Sequence, residues 1–174
     1  MLGVAGVIVA LDQLTKYLVM FNLELGQSWS PFDWLMPYAR IVHWNNTGAA
    51  FGLFKQGSLI FTVIAIVVVL AILYYYPRIP EKQVALRFAL MLQLGGAAGN
   101  LTSRLIHGTV TDFISLSTFP VFNVADASIS IGVAILIASM WVEERRSRNE
   151  SADINVYSQG DEEEDVTEGE RQIE

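Results

Sequence analysis

The sequence predicts an all-α membrane protein, with four transmembrane helices and a small outward-facing, β-containing platform between helices 1 and 2. Three observations carry this. Hydrophobic residues make up 52% of the 174 and charged ones only 17%, too apolar a balance for an ordinary soluble domain. The apolar residues fall into four long stretches. The connection between the first two stretches is rich in aromatic side chains, which suit a membrane–water interface.

The first stretch, Leu2 to Phe21, is apolar except for Asp12, Gln13, Thr15 and Lys16. A cleaved leader carries basic residues ahead of a clean apolar run. Here the charges lie inside the run, so a retained helix is predicted. The second, Ser58 to Tyr76, holds nineteen residues without a charge, long enough at about 1.5 Å per residue to cross roughly 28 Å of hydrocarbon. Tyr74 to Tyr76 close it at interface depth, and Pro77 ends it. The third runs from Val84 to Leu105, with the small residues Gly95-Gly96-Ala97-Ala98-Gly99 allowing close helix approach. The fourth runs from Val124 to Val142. In the long connection, Trp29, Trp34, Tyr38 and Trp44 support the interfacial platform. Arg40 to Trp44 is β-prone and predicts a short strand.

Charge divides the chain. Residues 1–148 hold ten bases and eight acids, net +2, whereas from Asn149 onward ten acids meet one base. The membrane domain is expected over residues 1–145, and residues 146–174 read as an acidic, disordered tail with too little apolar content to fold. Lys and Arg concentrate at the 77–83 connection and at Arg145, Arg146 and Arg148. This places both termini on the cytoplasmic side and the loops 22–57 and 106–123 on the outer side.

Polar groups in apolar spans need partners or a function. Asp12 and Lys16, four residues apart, predict an intrahelical ion pair. Asn46-Thr47-Gly48-Ala49-Ala50-Phe51 reads as a tight turn entering the second span, or as an amide that binds an extended substrate. Asn100 and Arg104 share a face at the outer end of the third span. Arg104 there either snorkels to the surface or grips a substrate carbonyl or phosphate with its guanidinium fork. Asp112 could be a surface turn and Asp126 the N-cap of the fourth span. Together they form a possible pair, two carboxylates on the outer boundary beside amides. Close carboxylates in a low-dielectric site share one proton. One member can then activate water while the other polarises a carbonyl and protonates the leaving amine.

Other chemistries are poorly supplied. There is no cysteine, and His43 and His107 are the only histidines, so no metal or other cofactor is expected. No nucleophile elbow, phosphate-binding loop or basic nucleic-acid patch is present. A small ion-coupled transporter is the main rival, with Asp12, Lys16 and Asp126 as a proton path. It calls for carboxylates near the bilayer midplane, and only Asp12 lies that deep.

Four blocks in order resemble the bacterial lipoprotein signal peptidases (signal peptidase II). They are Asp12-Gln13-Leu14-Thr15-Lys16; Asn46 to Phe51; Gly95 to Asn100 continuing through Arg104 to Val110-Thr111-Asp112-Phe113; and Phe122-Asn123-Val124-Ala125-Asp126. The resemblance covers about residues 1–145. It implies an aspartic endopeptidase of the bacterial inner membrane that cleaves prolipoproteins before a diacylglyceryl-modified cysteine and is inhibited by the cyclic peptide globomycin. It implies Asp112 and Asp126 as the dyad; Asn46, Gly48, Asn100, Arg104 and Asn123 as substrate-binding residues; and Asp12 and Lys16 as structural support. Its partners would be lipid-modified prolipoproteins and membrane lipids, with no nucleic acid. The chain departs from the family in having Ser103 where aspartate usually precedes the arginine, Thr111 where valine is usual, and a somewhat short stretch between the two aspartates.

Overall fold

Four helices, each long and apolar enough to cross a membrane, run Leu2–Asn22 (α1), Gly57–Tyr75 (α2), Val84–His107 (α3) and Val124–Arg145 (α4). The chain is thus a multi-pass membrane protein. The structure, a computed structural model, describes residues 2–48, 57–145 and 148. The predicted helix ends agree to within about one turn. Pro77, expected to end the second span, lies in a single 3-10 turn, Tyr76–Arg78, immediately after α2.

Apolar side chains that a soluble protein would bury are left outward on these helices. Leu59, Ile60, Val63 and Val67 on α2 and Leu11, Leu14 and Leu18 on α1 are exposed. Such a surface suits lipid, which removes any hydrophobic gain from hiding it. Helix association therefore rests on close packing, and the small-residue run of α3 provides it. A Cβ on Gly95 would stand 2.7 Å from Ile8 Cβ of α1, and one on Gly99 2.7 Å from Asp12 Oδ2. Gly96 turns the other way, where a Cβ would stand 2.6 Å from Ser128 Oγ of α4. Only hydrogen fits at these positions, so α3 touches both neighbours along its backbone.

The platform is a three-stranded antiparallel sheet in the order β1 (Ser28–Trp29), β2 (Ala39–Asn46), β3 (Val110–Leu116). It draws its third strand from the connection between α3 and α4, so it extends beyond the α1–α2 connection where the sequence put it. A bulge separates the Ile41↔Ile114 pairing from Trp44↔Asp112. Two residues of β2, Val42 and His43, stand there opposite Phe113 alone. Bulges of this kind re-aim side chains beside functional sites. After β3 the chain folds back, and Phe122 exchanges backbone hydrogen bonds with Ile114 at 2.8 and 3.1 Å. This delivers Asn123 directly to the start of α4.

Residues up to Leu136 cluster into one compact unit, and those from Ile137 into another. In the second, the Arg145 guanidinium lies 3.7 Å from the Trp141 ring centroid. Residues 49–56, with Phe51, Phe54 and Lys55, lie outside the described residues. So do 146, 147 and the expected acidic tail from Asn149 onward.

Candidate active site

Asp112 occupies the middle of β3 and is 2% exposed, which replaces the surface turn considered from sequence. Its pairing partner is Trp44, and its diagonal neighbour on the same face is Asn46. Asn46 Nδ2 donates to Asp112 Oδ2 at 2.8 Å, while Asn46 Oδ1 accepts from the backbone N–H of Gly48 at 2.7 Å. Gly48 has φ +76°, the left-handed region that glycine adopts without strain. The turn thus fixes which end of the Asn46 amide meets Asp112.

Asp126 sits in the first turn of α4, but the N-cap is Asn123. The Asn123 side-chain oxygen accepts from Asp126 N at 2.9 Å, and Asp126 Oδ2 accepts from Asn123 N at 3.3 Å. This is a capping box, two orphan backbone donors satisfied reciprocally. The other Asp126 oxygen accepts from Asn100 Nδ2 at 2.7 Å. Asn123 Nδ2 in turn donates to Asp112 Oδ1 at 2.7 Å and Asn100 Oδ1 at 3.2 Å. All four carboxylate oxygens of the two aspartates therefore receive a nitrogen-borne donor.

Behind them lies the ion pair the sequence predicted. Lys16 Nζ meets Asp12 Oδ2 at 2.8 Å, with both side chains buried. Its other contacts are Asn100 Oδ1 at 2.9 Å and Ser103 Oγ at 3.2 Å. Asp12 Oδ1 accepts from Ala125 N at 3.0 Å, so an α1 carboxylate satisfies the second orphan N–H of α4 and favours its positive end. Ser103 also accepts from Gln13 Nε2 at 3.1 Å and donates to Gly99 O at 3.3 Å. Its recorded partners are thus α1 and its own helix, and it ties those two together.

A cavity of about 820 Å³ opens over the pair. Its walls include Asn46, Gly48, Asn100, Arg104, Asp112 and Asp126. Phe61, Ile64, Ala65 and Val68 of α2 and Ile129 of α4 line its apolar side. Asn123 is fully buried, with its side chain committed to the two aspartates and Asn100. Arg104 points its guanidinium over the Phe61 ring, 5.5 Å from the centroid, and its Nε has no hydrogen-bond partner among the described residues. Burial pushes the Asp112 carboxyl up from 3.8 to about 6. The charge of Asp126 adds to that rise, while the hydrogen bonds from Asn46 and Asn123 and the charge of Lys16 oppose it. His43 is occupied elsewhere, its Nδ1 2.8 Å from Leu23 O. Of the cavity wall, Trp44 was read from sequence only as part of the platform, and Gln93 was not singled out. Gln93 was discoverable as an amide within an apolar span, on the same helical face as Asn100.

Four helices long and apolar enough to cross a membrane, a small sheet and two amide-held carboxylates on one cavity are those of a multi-pass membrane protein with a candidate active site. The sequence profile of the signal peptidase (SPase) II family matches residues 4–142. Curated relatives include the lipoprotein signal peptidase of Brevibacillus brevis, 40% identical over 83% of this chain and 97% of that protein. That of Bacillus subtilis is 38% identical over 84% and 96%. A solved bacterial membrane enzyme is similar with a TM-score of 0.73 and 30% identity, over 81% of this chain and 87% of its own. The chain belongs to the signal peptidase II family, and its activity is that of the family, lipoprotein signal peptidase activity in a multi-pass membrane protease.

Proposed function

We propose that the protein is an aspartic endopeptidase that removes the signal peptide from diacylglyceryl-modified prolipoproteins, cutting before the lipidated cysteine with Asp112 and Asp126 as its dyad. The observation that carries this reading is that both carboxylates line one cavity while every one of their oxygens is held by a nitrogen donor. The ionised member of the pair takes a proton from water, and the water oxygen attacks the scissile carbonyl carbon. The protonated member donates to the carbonyl oxygen. In collapse of the tetrahedral intermediate, the C–N bond breaks as a proton passes to the leaving nitrogen. The products are the signal peptide's carboxylate and the free amino group of the cysteine. The shared proton belongs to the pair.

The amides have distinct parts in this reading. Asn46 and Asn123 hold Asp112, and Asn100 and Asn123 hold Asp126. They act as positioning residues where the sequence had suggested direct substrate contact. Arg104 and Gly48 remain on the cavity wall to meet substrate. Asp12 and Lys16 hold Asn100 and the start of α4. Globomycin, as a cyclic peptide, would occupy the same cavity. The Lys and Arg distribution supports a site at the outer face of the bacterial inner membrane with both termini cytoplasmic.

The test is cleavage of a diacylglyceryl-modified prolipoprotein by the purified full chain. Asp112→Asn and Asp126→Asn are each expected to lower kcat by about 10³-fold or more while the protein stays folded. Wild-type rates in both variants would exclude the dyad.

A further inference from the structure

Gln93 lies on α3 seven residues before Asn100, and it shares the cavity-facing stripe Gln93, Ala97, Asn100, Arg104. Spacings of four and three residues keep one face of a helix. At about 1.5 Å per residue the stripe carries Gln93 roughly 10 Å further along the helix than Asn100, away from the sheet end. The walls nearby are apolar, with Ala65, Val68 and Ile129. The Gln93 stem lies against α4 where Gly132 leaves room, since a Cβ there would stand 2.9 Å from Gln93 Cγ. Yet its amide nitrogen is left over. Nε2 is cut off from solvent and has no hydrogen-bond partner among the described residues.

An unpaired amide donor in apolar surroundings is destabilising, and the hydrogen bonds recorded around the two aspartates do not use it. We infer that Gln93 is a substrate-binding residue that donates to a carbonyl oxygen of the bound substrate inside the cavity. A turn about its terminal torsion, which is broad for glutamine, swings Nε2 into the open space. The inference rests on the proposed function. An extended peptide advances about 3.3 Å per residue, so roughly 10 Å along α3 from Asn100, which holds Asp126, corresponds to about three residues before the cut. That depth favours a signal-peptide backbone carbonyl over an acyl ester, which hangs close to the cysteine.

The test compares wild type with Gln93→Leu and Gln93→Met in detergent, using prolipoprotein carrying either ester-linked diacylglyceryl or ether-linked dialkylglyceryl. Both variants are expected to raise KM roughly three- to tenfold with kcat changed less than about twofold, as for binding lost equally from ground and transition states. Their Tm should equal or exceed that of wild type. A rise in KM on both substrates assigns the contact to the peptide carbonyl, and a rise on the ester substrate alone assigns it to the acyl ester. An unchanged KM on both, or a lowered Tm with KM unmoved, makes Gln93 merely structural and overturns the inference while leaving the proposed function intact. Failure of wild type to cut the ester substrate removes the proposed function and this inference with it.

Discussion

Asp112 binds its proton more tightly in the folded protein than an ordinary carboxylate does, because burial raises it from 3.8 to about 6. The unfolded chain ionises at the ordinary value. The stability contributed by this group is therefore complete below 3.8 and lost as pH rises through about 6. The Tm of wild type is expected to fall across that window relative to Asp112→Asn, in thermal unfolding at fixed detergent and salt. A constant difference between the two proteins would contradict it. Asn123 is the other sensitive position, since one side chain caps α4 and holds Asp112. Asn123→Ala removes a cap worth about 1 kcal/mol and leaves a carboxylate oxygen unpaired. It should lower Tm and reduce kcat at least tenfold. Asn123→Asp keeps a capping oxygen but sets a negative charge against Asp112. It should lose activity with a smaller drop in Tm. These roles were only partly legible. The block from Phe122 to Asp126 drew attention to both residues, but the cap that the sequence offered was Asp126. Asn and Asp are near-equal caps, and only the observed hydrogen bonds choose between them.

The helices were legible because long apolar runs have few alternatives, and their ends are marked by Pro77 and by the changes in polarity. Strand β3 was not legible. Its residues Val110 to Ser115 are buried or nearly so on both faces, so no alternation betrays it, and an aspartate sits in its middle. Its partner strand lies far away in sequence, and no local signal announces that pairing. Helix α3 shows the opposite case, for its glycine run reads directly as close packing. Gly99→Ala should push Asp12 off the α3 backbone and destabilise by about 1–3 kcal/mol, lowering both Tm and kcat. Gly3→Ala, where an added Cβ meets nothing within 4 Å, is the control and should leave both unchanged.

At the scale of the whole molecule, the absence of cysteine allows topology to be read by single-cysteine labelling. A thiol placed at Ser30 should react with an impermeant reagent from outside intact cells. One at Glu81 should react only after the membrane is opened, and the reverse pattern would invert the proposed orientation. The family match ends at residue 142, and among the described residues the hydrogen bonds recorded to Asp112 and Asp126 come from Asn46, Asn100 and Asn123. Deleting 149–174 should therefore leave kcat/KM within about twofold, measured on the same substrate. The network has a direction as well as a shape. Between Lys16 and the two aspartates stand Asn100 and Asn123, each accepting at its oxygen and donating at its nitrogen. An amide does not pass a proton from one end to the other, so these links are electrical insulation. The buried ion pair of α1 and the two aspartates feel each other's charge without trading hydrogen ions along these bonds. Along these bonds, a route from Asp12 and Lys16 to Asp126, the one a transporter would need, is interrupted at Asn100. Sealed vesicles containing the working enzyme should hold a pH gradient as well as empty ones.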